Sequence, residues 1–152
     1  MEITIIPYED RYAADFKRMN LGWLDRYHLT EAPDLEVLND PRGTVLNDGG
    51  VLFLAKAGDE IIGSAGLKKE DEGVFELIKM TVTGSWQGRG IGRMLMDACL
   101  QTARERNVKK ITLYSNSQLQ RAINLYEQYG FRHTTLDNSP LETADVRMEL
   151  IL

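Results

Sequence analysis

The chain has 152 residues, enough for one domain with a substantial core, and its 43% hydrophobic and 27% charged content are ordinary for a folded globular protein. A net charge of −5 argues against a general nucleic-acid binder and suits a cationic or amine ligand. The single cysteine, Cys99, cannot close an internal disulfide, no apolar run reaches the ~18–20 residues of a membrane span, and Met1 to Thr4 do not open a signal peptide. The expectation is a cytoplasmic protein with neither a nucleic-acid nor a membrane partner.

Residues 3–6 read as a short first strand stopped by Pro7. From Asp10, which fits an N-cap, Tyr12, Phe16, Met19, Trp23 and Tyr27 recur at helical spacing. That aromatic stripe is either core or, at its far end, the wall of an acceptor pocket built by Trp23 and Tyr27. Residues 30–34 break the helix, and 35–39 form a short second one that ends before Pro41. Strands follow over 51–57, 60–68 and 74–82, joined by a tight turn at Gly58-Asp59 and a longer one over 70–73. The third carries apolar residues on both faces, Phe75 and Leu77 on one, Ile78, Met80 and Val82 on the other. Such a strand is central and covered on both sides.

Between that strand and a periodic helix over 91–106 lies Trp86-Gln87-Gly88-Arg89-Gly90-Ile91-Gly92. Its three glycines allow positive φ and close approach of backbone to ligand. The helix that starts beside them offers unpaired N–H groups and the positive end of its dipole, which makes a concave site for a diphosphate. The spacing excludes two common alternatives. A P-loop needs Lys-Ser/Thr after its last glycine, where Arg93-Met94 stand, and a dinucleotide fingerprint needs a glycine at Arg93 and a place at the first strand. Arg89 and Arg93 either add charge toward phosphate or are merely solvated. Cys99 falls on the buried stripe with Ile91, Leu95, Ala98, Thr102 and Ala103, as a small core residue rather than a nucleophile. A strand over 110–115, a helix carrying Leu119, Ala122, Ile123 and Tyr126 and stopped by Gly130, and strands over 131–136 and 146–152 complete the chain.

Gln87, Gly90 and Gly92 stand as Gln-x-x-Gly-x-Gly, and residues 122–131 carry Ala-Ile-x-Leu-Tyr-Glu-x-x-Gly-Phe. Both patterns resemble signatures of the GCN5-related N-acetyltransferase (GNAT) superfamily, whose element order matches nearly the whole chain. The resemblance implies an α/β (α+β) fold, a central mixed, mostly antiparallel sheet of about six to seven strands flanked by about four helices. It also implies one N-acetyltransferase domain over residues 1–152, with acetyl-CoA as co-substrate and no metal. The acceptor would be a small-molecule amine or a peptide, acetylated by direct transfer in a ternary complex, and homodimers through the final strands are common in the family.

By position, Met80, Thr81 and Val82 would pair their backbone with the pantetheine arm, one of their N–H groups facing the thioester oxygen, while Gln87, Gly88, Arg89, Gly90, Ile91 and Gly92 would hold the diphosphate. Tyr126 matches the family's general acid. Glu76 stands where many members carry a glutamate; the period-two rule gives it the face of Met80 and Val82, with Lys79 on the opposite face. It is either the general base or a structural carboxylate. Many members place an asparagine where Leu119 stands, and Asn116 could supply a substitute amide. His28 and His133 match no catalytic spacing. The alternative function is a non-catalytic acyl-CoA-binding sensor module, against which the presence of both Glu76 and Tyr126 argues.

Overall fold

The computed structural model describes residues 2–136 and 141–152. Among these, seven strands form one sheet: β1 (Ile3–Pro7), β2 (Val51–Ala57), β3 (Glu60–Asp71), β4 (Val74–Val82), β5 (Lys110–Ser115), β6 (Arg132–His133) and β7 (Val146–Ile151), in the order β1-β2-β3-β4-β5-β7-β6. Every neighbouring pair is antiparallel except β4–β5. Four α-helices flank the sheet: α1 (Ala13–Arg26), α2 (Ala32–Asn39), α3 (Ile91–Glu105) and α4 (Gln120–Gln128). This is the mixed architecture the sequence implies, with α3 supplying the crossover that a parallel pair requires. No helix among the described residues is long and apolar enough to cross a membrane.

Each face of the sheet has its own core. On one, Ile91, Leu95, Met96, Cys99 and Leu100 of α3 and Ile123 and Tyr126 of α4 pack on Phe75, Leu77, Ile111, Leu113 and Met148. On the other, Phe16, Met19 and Leu24 of α1 and Val37 and Leu38 of α2 pack on Leu52, Leu54 and Ile61, with Ile78 against them.

Two features of β4 shape a cleft beside it. Its parallel pairing with β5 covers only Val74–Glu76 against Lys110–Thr112, so beyond Glu76 the two strands diverge and leave a gap. Then the register against β3 jumps, with Ser64 opposite Thr81 but Gly66 opposite Ile78, and Lys79 takes a φ of 52°. One extra residue in β4 makes a bulge, and a bulge resets side-chain alternation. Met80 and Val82 therefore pack on the α3–α4 side with Phe75 and Leu77, and of these apolar residues only Ile78 faces α1 and α2. This corrects the expected faces: Glu76 does not share a side with Met80 and Val82.

Other boundaries move for local reasons. Asp10 does not cap α1. A short 3-10 turn, Asp10–Tyr12, precedes that helix, its N-cap is Tyr12, and the Asp10 carboxylate instead receives Arg42 Nε at 3.0 and 3.1 Å. The second helix begins at Ala32 rather than 35, because Glu31 and Asp34 form a capping box and Pro33 falls in the first turn, where its missing N–H costs nothing. β3 runs on to Asp71, whereas β6 is confined to Arg132–His133.

Candidate active site

The gap between β4 and β5 widens into a cleft of about 1110 Å³, walled by α1, β4, the glycine turn, α4 and the segment before β7. At one end, Gly88 and Gly90 hold φ of 80° and 79°, where any L side chain would be strained. Gly90 is the N-cap of α3 and no side chain caps that helix, so the N–H groups of its first turn stand open. A Cβ added at Gly90 would meet nothing within 4 Å; the space above it is free for a ligand. Gly92 has less room, since a Cβ there would lie 3.3 Å from Leu125 Cδ2 and the leucine would have to give by a few tenths of an ångström. The Gln87 carboxamide donates to the Val82 carbonyl at 3.1 Å, tying the turn to the end of β4.

The arginines separate. Arg89 stacks on the Trp86 ring at 4.8 Å, beside the turn. Arg93 is spent on α4, bonding the Gln128 carboxamide and lying over the Tyr129 ring. Arg121, absent from the expected set, reaches the turn instead: its Nη1 is 4.0 Å from where a Gly88 Cβ would stand. It has no partner among the described residues. A signal existed, because a cation in the first turn of α4 opposes the helix dipole and needs another reason to be there.

Along β4, the Thr83 N–H donates to Ile62 O on β3, and Thr81 lies in register with Ser64. Antiparallel alternation therefore turns the backbone groups of Met80 and Val82 away from β3 and into the gap.

Tyr126, on α4, is 7% exposed, lines the cleft and packs against Phe131 with ring centroids 5.9 Å apart. Burial, with Cys99 nearby, pushes its pKa well above that of a free phenol. Its hydroxyl has no hydrogen-bond partner among the described residues. Glu76 is half-buried on the α1–α2 side and also lines the cleft. Its pKa is pushed up to about 7, first by burial and then by Glu70, against the pull of Lys68 and Lys79. Lys79 itself does not point away, as the alternation rule had it. The bulge swings it toward α2, where its ammonium pairs with the buried Asp34 carboxylate.

Trp23 and Tyr27 do both jobs considered for them, packing against the α1–α2 core and lining the cleft. Asn116 is engaged within the protein: its Nδ2 donates to Thr143 O at 2.7 Å and its Oδ1 accepts from Gln118 N at 2.9 Å. The segment it holds is also tied to α2, because the Glu31 carboxylate accepts from Glu142 N at 2.8 Å and Thr143 N at 3.1 Å. Leu119 packs into the α1–α2 core. Cys99 is fully buried, and that burial pushes its thiol up to about 12, so it holds no thiolate at neutral pH. His133 is exposed beside Glu127.

The family model described as the Acetyltransferase (GNAT) family matches residues 14–131. The chain belongs to the GNAT acetyltransferase family. A mycothiol acetyltransferase of Beutenbergia cavernae is 34% identical over 102 residues, 66% of this chain and 34% of that protein, so the match spans about a third of the relative's length. Among solved structures, a GNAT-family acetyltransferase of Staphylococcus aureus Mu50 superposes with a TM-score of 0.90 at 25% identity, covering 97% of this chain and 98% of that one. The PaiA N-acetyltransferase of Thermoplasma acidophilum, solved in complex with coenzyme A, shares the fold at a TM-score of 0.79 and 18% identity over the whole of both chains.

Acetyl-CoA is the co-substrate of GNAT enzymes, and the residues present fit it. Among the described residues, an uncapped helix start above two positive-φ glycines, a strand edge without a partner and an unpaired guanidinium at one end of an open cleft suit a diphosphate joined to a long amide-bearing arm. Arg121→Ala should weaken coenzyme A binding by roughly fivefold at low ionic strength, as about 1 kcal/mol from one solvent-facing cation gives. Calorimetry at two salt concentrations checks this, because the deficit should shrink as salt screens the charge.

Proposed function

We propose that this protein is an acetyl-CoA-dependent N-acetyltransferase that moves an acetyl group onto a primary amine by direct transfer within a ternary complex. What carries the reading is that one cleft is lined by the glycine turn, the free edge of β4, Tyr126 and Glu76, whose carboxyl is pushed up to about 7. The N–H groups of Gly88 to Gly92 hold the diphosphate, with Arg89 and Arg121 adding charge. Met80 and Val82 offer backbone groups to the pantetheine arm.

The remaining demands are proton transfers. A primary amine of pKa ~10.4 is mostly protonated at neutral pH and must lose a proton to become a nucleophile. Glu76, half-ionised near neutrality, takes that proton directly or through water. Tyr126, kept neutral by burial, donates toward the departing thiolate. A covalent acetyl-enzyme is disfavoured because Cys99 is sealed in the core as a thiol. The acceptor lies between Trp23, Tyr27 and Glu76, a half-aromatic, half-acidic wall that suits a small amine or a peptide amino group.

The test is coenzyme A thiol release from acetyl-CoA across a panel of amines and peptides. Acceptor-dependent release supports the proposal and gives the acceptor class. Tight acetyl-CoA binding without release for any acceptor would point to an acyl-CoA sensor, and no binding at all would overturn the site.

A further inference from the structure

Two polar side chains lie inside the core between α1 and the sheet. Asn20, from the middle of α1, and Ser64, from β3, are both 0% exposed. Burying such groups is costly unless they are bonded, and here the bonds form one directed chain. Trp23 Nε1–H donates to Asn20 Oδ1 at 3.3 Å. Asn20 Nδ2 donates to Phe16 O at 3.0 Å and to Ser64 Oγ at 3.2 Å. With Asn20 donating to it, the Ser64 hydroxyl gives its own proton to the Lys79 carbonyl, at 2.6 Å.

The chain ends on the β4 bulge. Lys79 holds a φ of 52°, uncommon for a residue with a side chain, and such a conformation persists only when its surroundings fix it. A trans peptide is planar, so the Lys79 carbonyl and the Met80 N–H point in opposite directions. With the carbonyl drawn to Ser64 on β3, the Met80 N–H faces the gap that β5 has vacated. Strand alternation counted back from Thr83 gives the same direction.

We propose that Ser64 is a positioning residue for the acyl group: anchored by Asn20, it fixes the Lys79–Met80 peptide so that the Met80 N–H stands ready to donate to the thioester carbonyl oxygen. The inference rests on the acetyltransferase reading above. A donor fixed in advance needs no reorganisation as charge develops on that oxygen, and that is where such groups gain their effect. An alanine at position 64 would pack as well in the core but would free the peptide to rotate.

The test follows the Met80 amide resonance in the full chain labelled with ¹⁵N-methionine, assigned by its loss in Met80→Leu, during titration with coenzyme A and with acetyl-CoA. In the wild type, acetyl-CoA should move the resonance beyond the shift that coenzyme A alone produces. Ser64→Ala and Ser64→Cys should cut that acetyl-dependent increment to about half or less, with coenzyme A affinity held within about twofold of wild type. The cysteine variant preserves side-chain volume, so the result does not depend on the alanine variant folding. An undiminished increment in either folded variant overturns the proposal while leaving the acetyltransferase reading intact. A wild-type chain that binds neither compound overturns both.

Discussion

Replacing Tyr126 by Phe should lower kcat by about 10²–10⁴-fold while leaving acetyl-CoA affinity and Tm close to wild type. The separation of effects follows from the residue's surroundings. The ring is a core element, only 7% exposed and packed with Phe131 and Ile123, and phenylalanine keeps all of that packing. The hydroxyl bonds no described residue, so its removal orphans nothing and should cost less than about 1 kcal/mol of stability. Its burial keeps it protonated far above neutral pH, the state required of a donor. A free phenol at ~10 is a weaker acid than a free thiol at ~8.5, so full proton transfer in water would run uphill. In the cleft the same desolvation that raises the phenol also raises a buried thiolate, and a hydrogen bond to the leaving sulfur stabilises it before any transfer is complete. Steady-state rates at saturating acetyl-CoA, with calorimetric binding alongside, decide the matter. A kcat within about twofold of wild type would reduce Tyr126 to a packing residue.

What the sequence made legible is what local pattern determines. The order of elements and the glycine turn follow from short-range spacing, Glu76 and Tyr126 were singled out by the family resemblance, and the structure lines one cleft with these two residues and the turn. The errors occur where one residue's conformation or a distant partner decides. Period-two counting along β4 assumes an unbroken ladder. The bulge sits at Lys79, not at a glycine that would have announced it, so the faces of Met80, Val82 and Lys79 came out reversed. Asp10 has the composition of an N-cap but is claimed by Arg42, 32 residues away. Asn116 lines the cleft, but what its amide secures there, Thr143 in the segment that Glu31 grips from across 112 positions, was not legible in the sequence. The Asn20–Ser64–Lys79 chain carries no motif, because its members come from three separate elements and matter only once packed.

The bulge also governs the second large effect, the pH dependence set by Glu76. Swinging Lys79 to Asp34 pairs its charge there, so Glu76 keeps a pKa of about 7 under burial and the field of Glu70, which Lys68 and Lys79 offset only in part. If Glu76 is the base, its ionised form is the active one, and the acceptor-dependent rate should rise with pH through about 7. A second rise belongs to the amine itself, near its own pKa of ~10.4. Glu76→Gln should erase the lower limb, keep the upper one and cut kcat near neutrality by on the order of 10²-fold. Stability should move the other way. The folded pKa lies above the carboxyl's ordinary 4.5, so its contribution is fully present below 4.5 and is lost as pH rises through about 7. The glutamine variant should therefore melt above wild type near pH 8, with the difference closing toward about pH 5, the pattern of a group held in a costly ionisation state for function. A lower limb that survives in Glu76→Gln would assign the base elsewhere, whereas loss of the limb with a gain in Tm ties the raised carboxyl to the chemistry.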